Sequence, residues 1–176
     1  GSGGTGTTTG SGGSGGTGTT TGTGGTGTGG SGASGGSSAG GSVGSGGWQP
    51  QRYVHTRSGG RKQRDYEFLF DWKAKQTRER QGDRPPATLL PGTLDELTYV
   101  EALRRTLAKG STSLVLPVLY GSDGEIREYR LETQGEEEIS TPAGTFKAIK
   151  VQRTQTGGKY TVTLWCAPDL DYFPVR

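Results

Sequence analysis

Acid–base, nucleophilic and metal chemistry in this chain rest on few residues. The 176-residue sequence holds one histidine, His55, and one cysteine, Cys166. A lone imidazole gives no two-histidine metal site, and a lone thiol gives neither a disulfide framework nor a multi-cysteine zinc site. His55 falls in a predicted strand, and no Ser/Asp arrangement can be tied to it by spacing. It reads as a surface or core histidine. Cys166 follows Trp165 in a strong strand pattern and reads as a buried apolar thiol, with an intermolecular disulfide as the alternative. Asp169 and Asp171 flank Leu170 after Pro168, which a turn explains. Glu136, Glu137 and Glu138 read as a solvated strand end or an edge guard. The expectation is a protein that is not an enzyme and that needs no cofactor or metal.

Anion binding is the next chemistry to weigh. Residues 48–84 hold ten Lys/Arg against five Asp/Glu. Arg52, Arg57, Arg61, Lys62 and Arg64 interleave with Trp48 and Tyr53, a pattern that serves nucleic acid or anionic lipid. A hairpin with a solvated basic face is the better reading. The net charge of +3 is too mild to argue for nucleic acid. No apolar run approaches the ~18 residues of a membrane span.

The residues with the strongest pattern are glycines. Of 35 glycines, 24 lie in residues 1–47, with 11 Thr, 9 Ser, two Ala and one Val. All 37 charged residues lie in 48–176. A hydroxyl residue recurs at every third position: Ser2, Thr5, Thr8, Ser11, Ser14, Thr17, Thr20, Thr23 and Thr26. Between them stand Gly3, Gly4, Gly6, Gly10, Gly12, Gly13, Gly15, Gly16, Gly18, Gly22, Gly24, Gly25 and Gly27. The triplets Thr7–Thr9 and Thr19–Thr21 interrupt the glycine faces, the phase slips at Thr28, and the pattern decays after Gly40. A second repeat is superposed, since residues 3–14 and 15–26 agree at ten of twelve positions.

A flexible linker needs composition but no phase. A period of three is that of a polyproline-II-type helix, at about 3 residues per turn. Built on glycine, it has one hydroxyl stripe and two faces of bare backbone. Such a helix makes no internal hydrogen bonds, and ordering it costs roughly 1–2 kcal/mol per residue. Close packing of several chains returns interchain N–H···O bonds at about 0.5–1.5 kcal/mol each. The pattern therefore predicts an N-terminal extended polyglycine-II-type helix over residues 1–47, packed against copies of itself.

The elements of residues 48–176 read as α+β, mainly antiparallel β, with one helix. Alternation and turn signals predict strands at 51–57, 64–72, 74–80, 112–119, 125–133, 135–140, 145–154, 159–167 and 171–175. Hairpin signals are Gly59-Gly60, Asp123-Gly124, Ala143-Gly144 and Gly157-Gly158. Thr93 is the predicted helix cap, with Glu96 completing a capping box. Leu94, Leu97, Val100, Leu103 and Leu107 form the apolar face, and Gly110 stops the helix.

Residues 48–176 resemble the C-terminal two-thirds of a bacterial envelope family, domain of unknown function 3108. The matching stretches are Pro50–Tyr53, FDW at Phe70–Trp72, LPGTLDELTYVEALR at Leu90–Arg104, LPV at Leu116–Val118, STPAGTFKAIKVQR at Ser140–Arg153 and LWCAPDLDYFPVR at Leu164–Arg176. The resemblance implies an open β-barrel-like fold and secretion toward the periplasm or beyond, with no catalytic residue. It also implies further strands before Pro50, where this chain has the Gly/Thr tail. An incomplete sheet with an unpaired edge is expected.

The absence of methionine predicts a processed chain, with a removed secretion signal as the simplest account. The function expected is a structural subunit of a secreted extracellular filament, self-associating, with glycine helices in the shaft and the β domain decorating or clamping it. The alternative is a periplasmic module that binds lipid or glycan on a flexible tether. An artificial fusion with a synthetic linker fits poorly with an imperfect, phase-slipped repeat.

Replacing Gly12, Gly13, Gly15 and Gly16 by Ala puts methyl groups into both packing faces. Replacing Ser11 and Ser14 by Ala alters only the stripe. Filaments lost in the first variant and kept in the second, by negative-stain microscopy, are the expected result. Equal behaviour of the two returns residues 1–47 to the status of a linker.

Overall fold

The computed structural model describes residues 34–44, 47–58 and 65–176. Two sheets and one helix account for them. The first sheet runs β1 (Ser34–Gly44), β2 (Gly47–Ser58), β3 (Tyr66–Asp71), β4 (Gln76–Glu79) and β5 (Ala87–Thr88) as an antiparallel meander. The second has the order β11-β10-β9-β8-β7-β6. Its strands are β6 (Leu94–Asp95), β7 (Ser113–Tyr120), β8 (Glu125–Thr141), β9 (Gly144–Gln155), β10 (Val162–Ala167) and β11 (Phe173–Pro174). All its pairings are antiparallel except β6 with β7. The β-rich, one-helix reading holds, with this second sheet curled into a half-barrel around the helix α1 (Thr98–Ala108).

The long hairpin β8–β9 shows why the strands form where they do. Tyr129 and Leu131 alternate inward and are buried, while Glu128, Arg130 and Glu132 face water. The predicted strands 125–133 and 135–140 are one strand, kinked by a bulge between Thr133 and Glu136. Gly135 supplies the positive φ of 103° that the bulge requires. The hairpin turns at Gly124, Gly144 and Gly157 stand where expected; Gly59-Gly60 lies outside the described residues.

The helix starts later than its apolar periodicity predicts. Leu94 and Asp95 form a strand parallel to Val118 and Leu119 instead of a first helical turn. Thr93 is not the cap: its hydroxyl donates to the Leu90 carbonyl at 2.7 Å and accepts from the Leu90 N–H at 3.1 Å, closing a turn. Asp95 takes the capping role. One carboxylate oxygen accepts from the N–H groups of Leu97 and Thr98 at 2.9 and 2.8 Å, and the Thr98 hydroxyl accepts from Asp95 N–H at 3.0 Å. That reciprocal pair is the capping box, displaced by two residues from the sequence expectation. Gly110, at φ 75°, ends the helix as predicted, with its N–H on Leu107 O and Ser111 N–H on Thr106 O.

The core has two parts. Tyr99, Leu103 and Leu107 of α1 pack on Leu116, Val118, Tyr129, Leu131, Val151 and Cys166 inside the half-barrel. A second cluster of Ala39, Tyr53, Phe68, Phe70, Leu89 and Leu119 sits between the two sheets.

Burial raises the Asp95 carboxyl above its usual range despite the two N–H groups on its first oxygen; its second oxygen is buried with no partner among the described residues. A raised folded-state value means that its stabilising contribution is fullest in acid and declines as pH rises through that value. Asp95→Ala should cost about 0.5–2 kcal/mol through the lost cap. The cost should grow when urea titrations are moved from neutral to acidic pH.

Candidate functional site

Three of the four sheet edges among the described residues are two-residue strands: β5, β6 and β11. The fourth is β1, eleven residues long, paired with β2 on one side only. Its sequence, SGGSSAGGSVG, has no charge, no proline and no large side chain at its centre. Such an edge carries none of the usual guards against pairing with another strand.

Glycine-rich sequence is a weak strand former, so β1 owes its shape to β2. Trp48, Tyr53 and Val54 supply the β-forming side chains opposite it. Ala39 is buried against Tyr53, its register partner. Ser37 Oγ lies 2.8 Å from Nδ1 of His55, directly across the ladder, and the His55 ring stacks on Tyr66 at 4.7 Å. Ser42 Oγ accepts from Gln51 Nε2 at 3.2 Å. The ladder slips between Gly40 and Gly41, where a Cβ on Gly41 would run into the Gln49 backbone. At Gly40 a Cβ would meet nothing within 4 Å. Only glycine fits the first of these positions, and any residue fits the second.

One carboxylate fixes this sheet to the other. Glu96 Oε2 accepts from the Tyr53 hydroxyl at 3.3 Å and from the backbone N–H of Gly121 at 3.1 Å. Tyr53 belongs to β2, Glu96 precedes α1, and Gly121 follows β7. Glu96 is therefore a tie between the sheets and not part of a capping box. Gly121 has no room for a side chain, because the Tyr66 ring lies where its Cβ would be. Burial and the Glu96 charge push the Tyr53 hydroxyl far above the normal tyrosine range, and Tyr66 up to about 12. Both phenols stay neutral, and Tyr53 stays a donor. Trp72 Nε1, just past the end of β3, donates to the Pro50 carbonyl at 2.6 Å.

Residues 16–176 match the model of a protein family of unknown function, DUF3108. The chain belongs to the DUF3108 family. No curated protein and no solved structure matches it. The family match begins at residue 16 and not at 48, so it takes in much of the glycine-rich segment. Residues 34–44 are a strand of the folded DUF3108 domain, where the period of three predicts a glycine helix. Four of that strand's eleven residues, Gly41 to Gly44, lie beyond the point where the hydroxyl phase decays, and pairing with β2 satisfies the backbone locally.

The glycines Gly3 to Gly27 and the hydroxyl row Ser2 to Thr26 lie outside the described residues. The other candidates are placed. Cys166 is free and fully buried, and burial pushes its thiol up to about 11, which suppresses thiolate chemistry. Asp169 lies in a short 3₁₀ turn, Pro168–Leu170, and Asp171 follows it at φ 51°. Glu137 accepts from Trp165 Nε1 and pairs with Lys150 at 3.5 Å, which holds its carboxyl below the usual range. In the basic stretch, Arg52 and Arg80 both pair with Glu67, at 2.7 and 3.0 Å, and Arg84 pairs with Glu79. Among the described residues, no group of three or more His, Cys, Asp or Glu could hold a metal ion, and no helix is long and apolar enough to cross a membrane.

Glu96→Ala leaves the Gly121 N–H and the Tyr53 hydroxyl without an acceptor. A loss of about 1–3 kcal/mol per stranded donor is expected. Tyr53→Phe, which removes one donor and leaves Glu96 on Gly121, should cost less. Equal midpoints for wild type and Glu96→Ala in urea would show that the tie carries no stability.

Proposed function

We propose that this DUF3108 chain is a self-assembling structural subunit of the bacterial cell envelope or surface, exported from the cytoplasm. Copies join through the open side of β1, reinforced by the glycine-rich segment before it. The observation that carries this reading is that, among the described residues, β1 is a long, neutral edge strand beside three edges that are each two residues long. Strand addition to such an edge draws affinity from main-chain hydrogen bonds and needs no side-chain code, which suits a sequence of Gly and Ser. The period-three pattern of residues 2–26 supports the same reading, since it has purpose only where backbones of several chains meet.

A lipid- or glycan-binding module has less support. The concave side of the half-barrel is filled by α1, with Leu103 and Leu107 seated on Leu131 and Val151. The shallow groove beside them, bordered by Thr106, Ser113 and Thr133, is too narrow to admit a water molecule.

The full chain should form filaments or large oligomers, seen by light scattering and negative-stain microscopy. Gly40→Lys with Ser42→Lys places two charges on β1. Gly40 has open space for a side chain, and Ser42 is exposed. The double variant should keep its thermal melt and become monomeric. Monodisperse wild-type protein at high concentration, or assembly unchanged in the variant, overturns the proposal.

A further inference from the structure

The inner row of the β8–β9 hairpin carries polar atoms that the fold leaves without partners. Tyr129 stands opposite Gln155 and Leu131 opposite Arg153, so the four side chains share the concave face of the sheet. Tyr129 Oη, Arg153 Nε and Gln155 Oε1 are each shielded from solvent and unpartnered. Two of these, the phenol and the guanidinium N–H, are donors.

Arg153 is an unusual cation. Its Nη1 donates to the Tyr99 hydroxyl at 3.1 Å, and its guanidinium carbon stands 4.4 Å from the Tyr129 ring centre and 5.4 Å from that of Tyr99. The two rings meet edge to face at 5.3 Å. Among the described residues, no carboxylate pairs with Arg153, whereas Arg52, Arg80, Arg84, Arg104, Arg105, Arg127 and Arg130 each have one. Aromatic faces offset part of the cost of removing a guanidinium from water. They do not satisfy its Nε–H, which is shielded from solvent and has no partner among the described residues, and a buried polar group is ordinarily hydrogen-bonded.

We propose that Arg153 and Tyr129 form a binding site for the carboxylate of a small organic acid. A carboxylate is planar, accepts two hydrogen bonds side by side from a guanidinium edge, and has lone pairs left for the Tyr129 hydroxyl. Tyr99 holds the guanidinium through Nη1, so that the Nε side faces the ligand. The site lies at the end of the hairpin, beside the exposed connection of residues 156–161. Its door is the Gln155 side chain, which lies against Gly158 where a Cβ on that glycine would stand. Arg153 and Gln155 are each only partly buried, so a swing of Gln155 opens the row to solvent. This inference is independent of assembly, because none of these residues lies on β1.

The test is differential scanning calorimetry of the full chain in sodium propionate against sodium chloride at equal ionic strength. A ligand that binds only the folded state raises the melting temperature in a saturable way. The expected result is a saturable rise in propionate over chloride for the wild type, and none for Arg153→Gln. Tyr129→Phe, which keeps the ring and deletes one donor, should weaken the apparent affinity about three- to tenfold. No rise over chloride, or the same concentration dependence in wild type and Tyr129→Phe, overturns the proposal. Should Arg153→Gln fail to fold, the comparison of wild type with Tyr129→Phe decides it alone.

Discussion

Glu96 is where two sheets become one structure. Its carboxylate receives a phenol from the first sheet and a backbone N–H from the turn after β7. The cost of holding a partly buried charge is offset because both donors are held in place by packing. Tyr53 is buried among Phe68, Phe70 and Leu119, and the Gly121 turn is clamped beneath the Tyr66 ring. The hydrogen bonds orient the sheets, and the aromatic cluster beneath supplies most of the affinity between them. This order matters for β1. Among its residues 37–42, whose burial is described, Ala39 is the one buried in the core, so the strand's position follows from β2, and that of β2 from the Tyr53–Glu96 tie.

The same residue shows where sequence reading succeeded and where it stopped. The strands of the β7–β10 meander were legible because their alternation and their glycine turns agree. The helix stop at Gly110 was legible for the same reason, an apolar stripe meeting a residue that tolerates positive φ. The helix start was not. Thr93 and Glu96 fit a capping box by spacing, yet Asp95 and Thr98 fit one too, and the choice falls to tertiary contacts. Pairing of Leu94 with Val118 draws the chain into a strand, and Tyr53 claims Glu96. Neither partner is near in sequence.

β1 was illegible for a different reason. Its composition has almost no strand propensity, and the period of three in the residues before it points to another backbone conformation. Strand formation there is imposed by a partner with strong propensity, as cross-strand pairing in sheets often is. The cross-strand bond from Ser37 to His55 could not be read from spacing, because the register contains a bulge at Gly40/Gly41. Likewise the Arg153–Tyr99–Tyr129 group joins a helix to two strands, and only the folded register brings it together.

The glycine-rich segment has two structural demands along its length. At its end it must form a strand narrow enough to accept the bulge at Gly41 and a slot beside Gln49. Further back, its hydroxyl row follows a period of three, which no antiparallel ladder needs. On a strand, hydroxyls at a two-residue period would line one face, whereas a period of three sends successive hydroxyls to opposite faces. The phase of that row slips at Thr28, and the row fades after Gly40. Residues 34–44 complete a sheet with β2 within one chain, while the row from Ser2 to Thr26 lies outside the described residues. Among the described residues β1 is a long, neutral edge strand, and it stands where the hydroxyl row fades, so pairing with β2 takes over from the repeat as the pattern that the chain must satisfy.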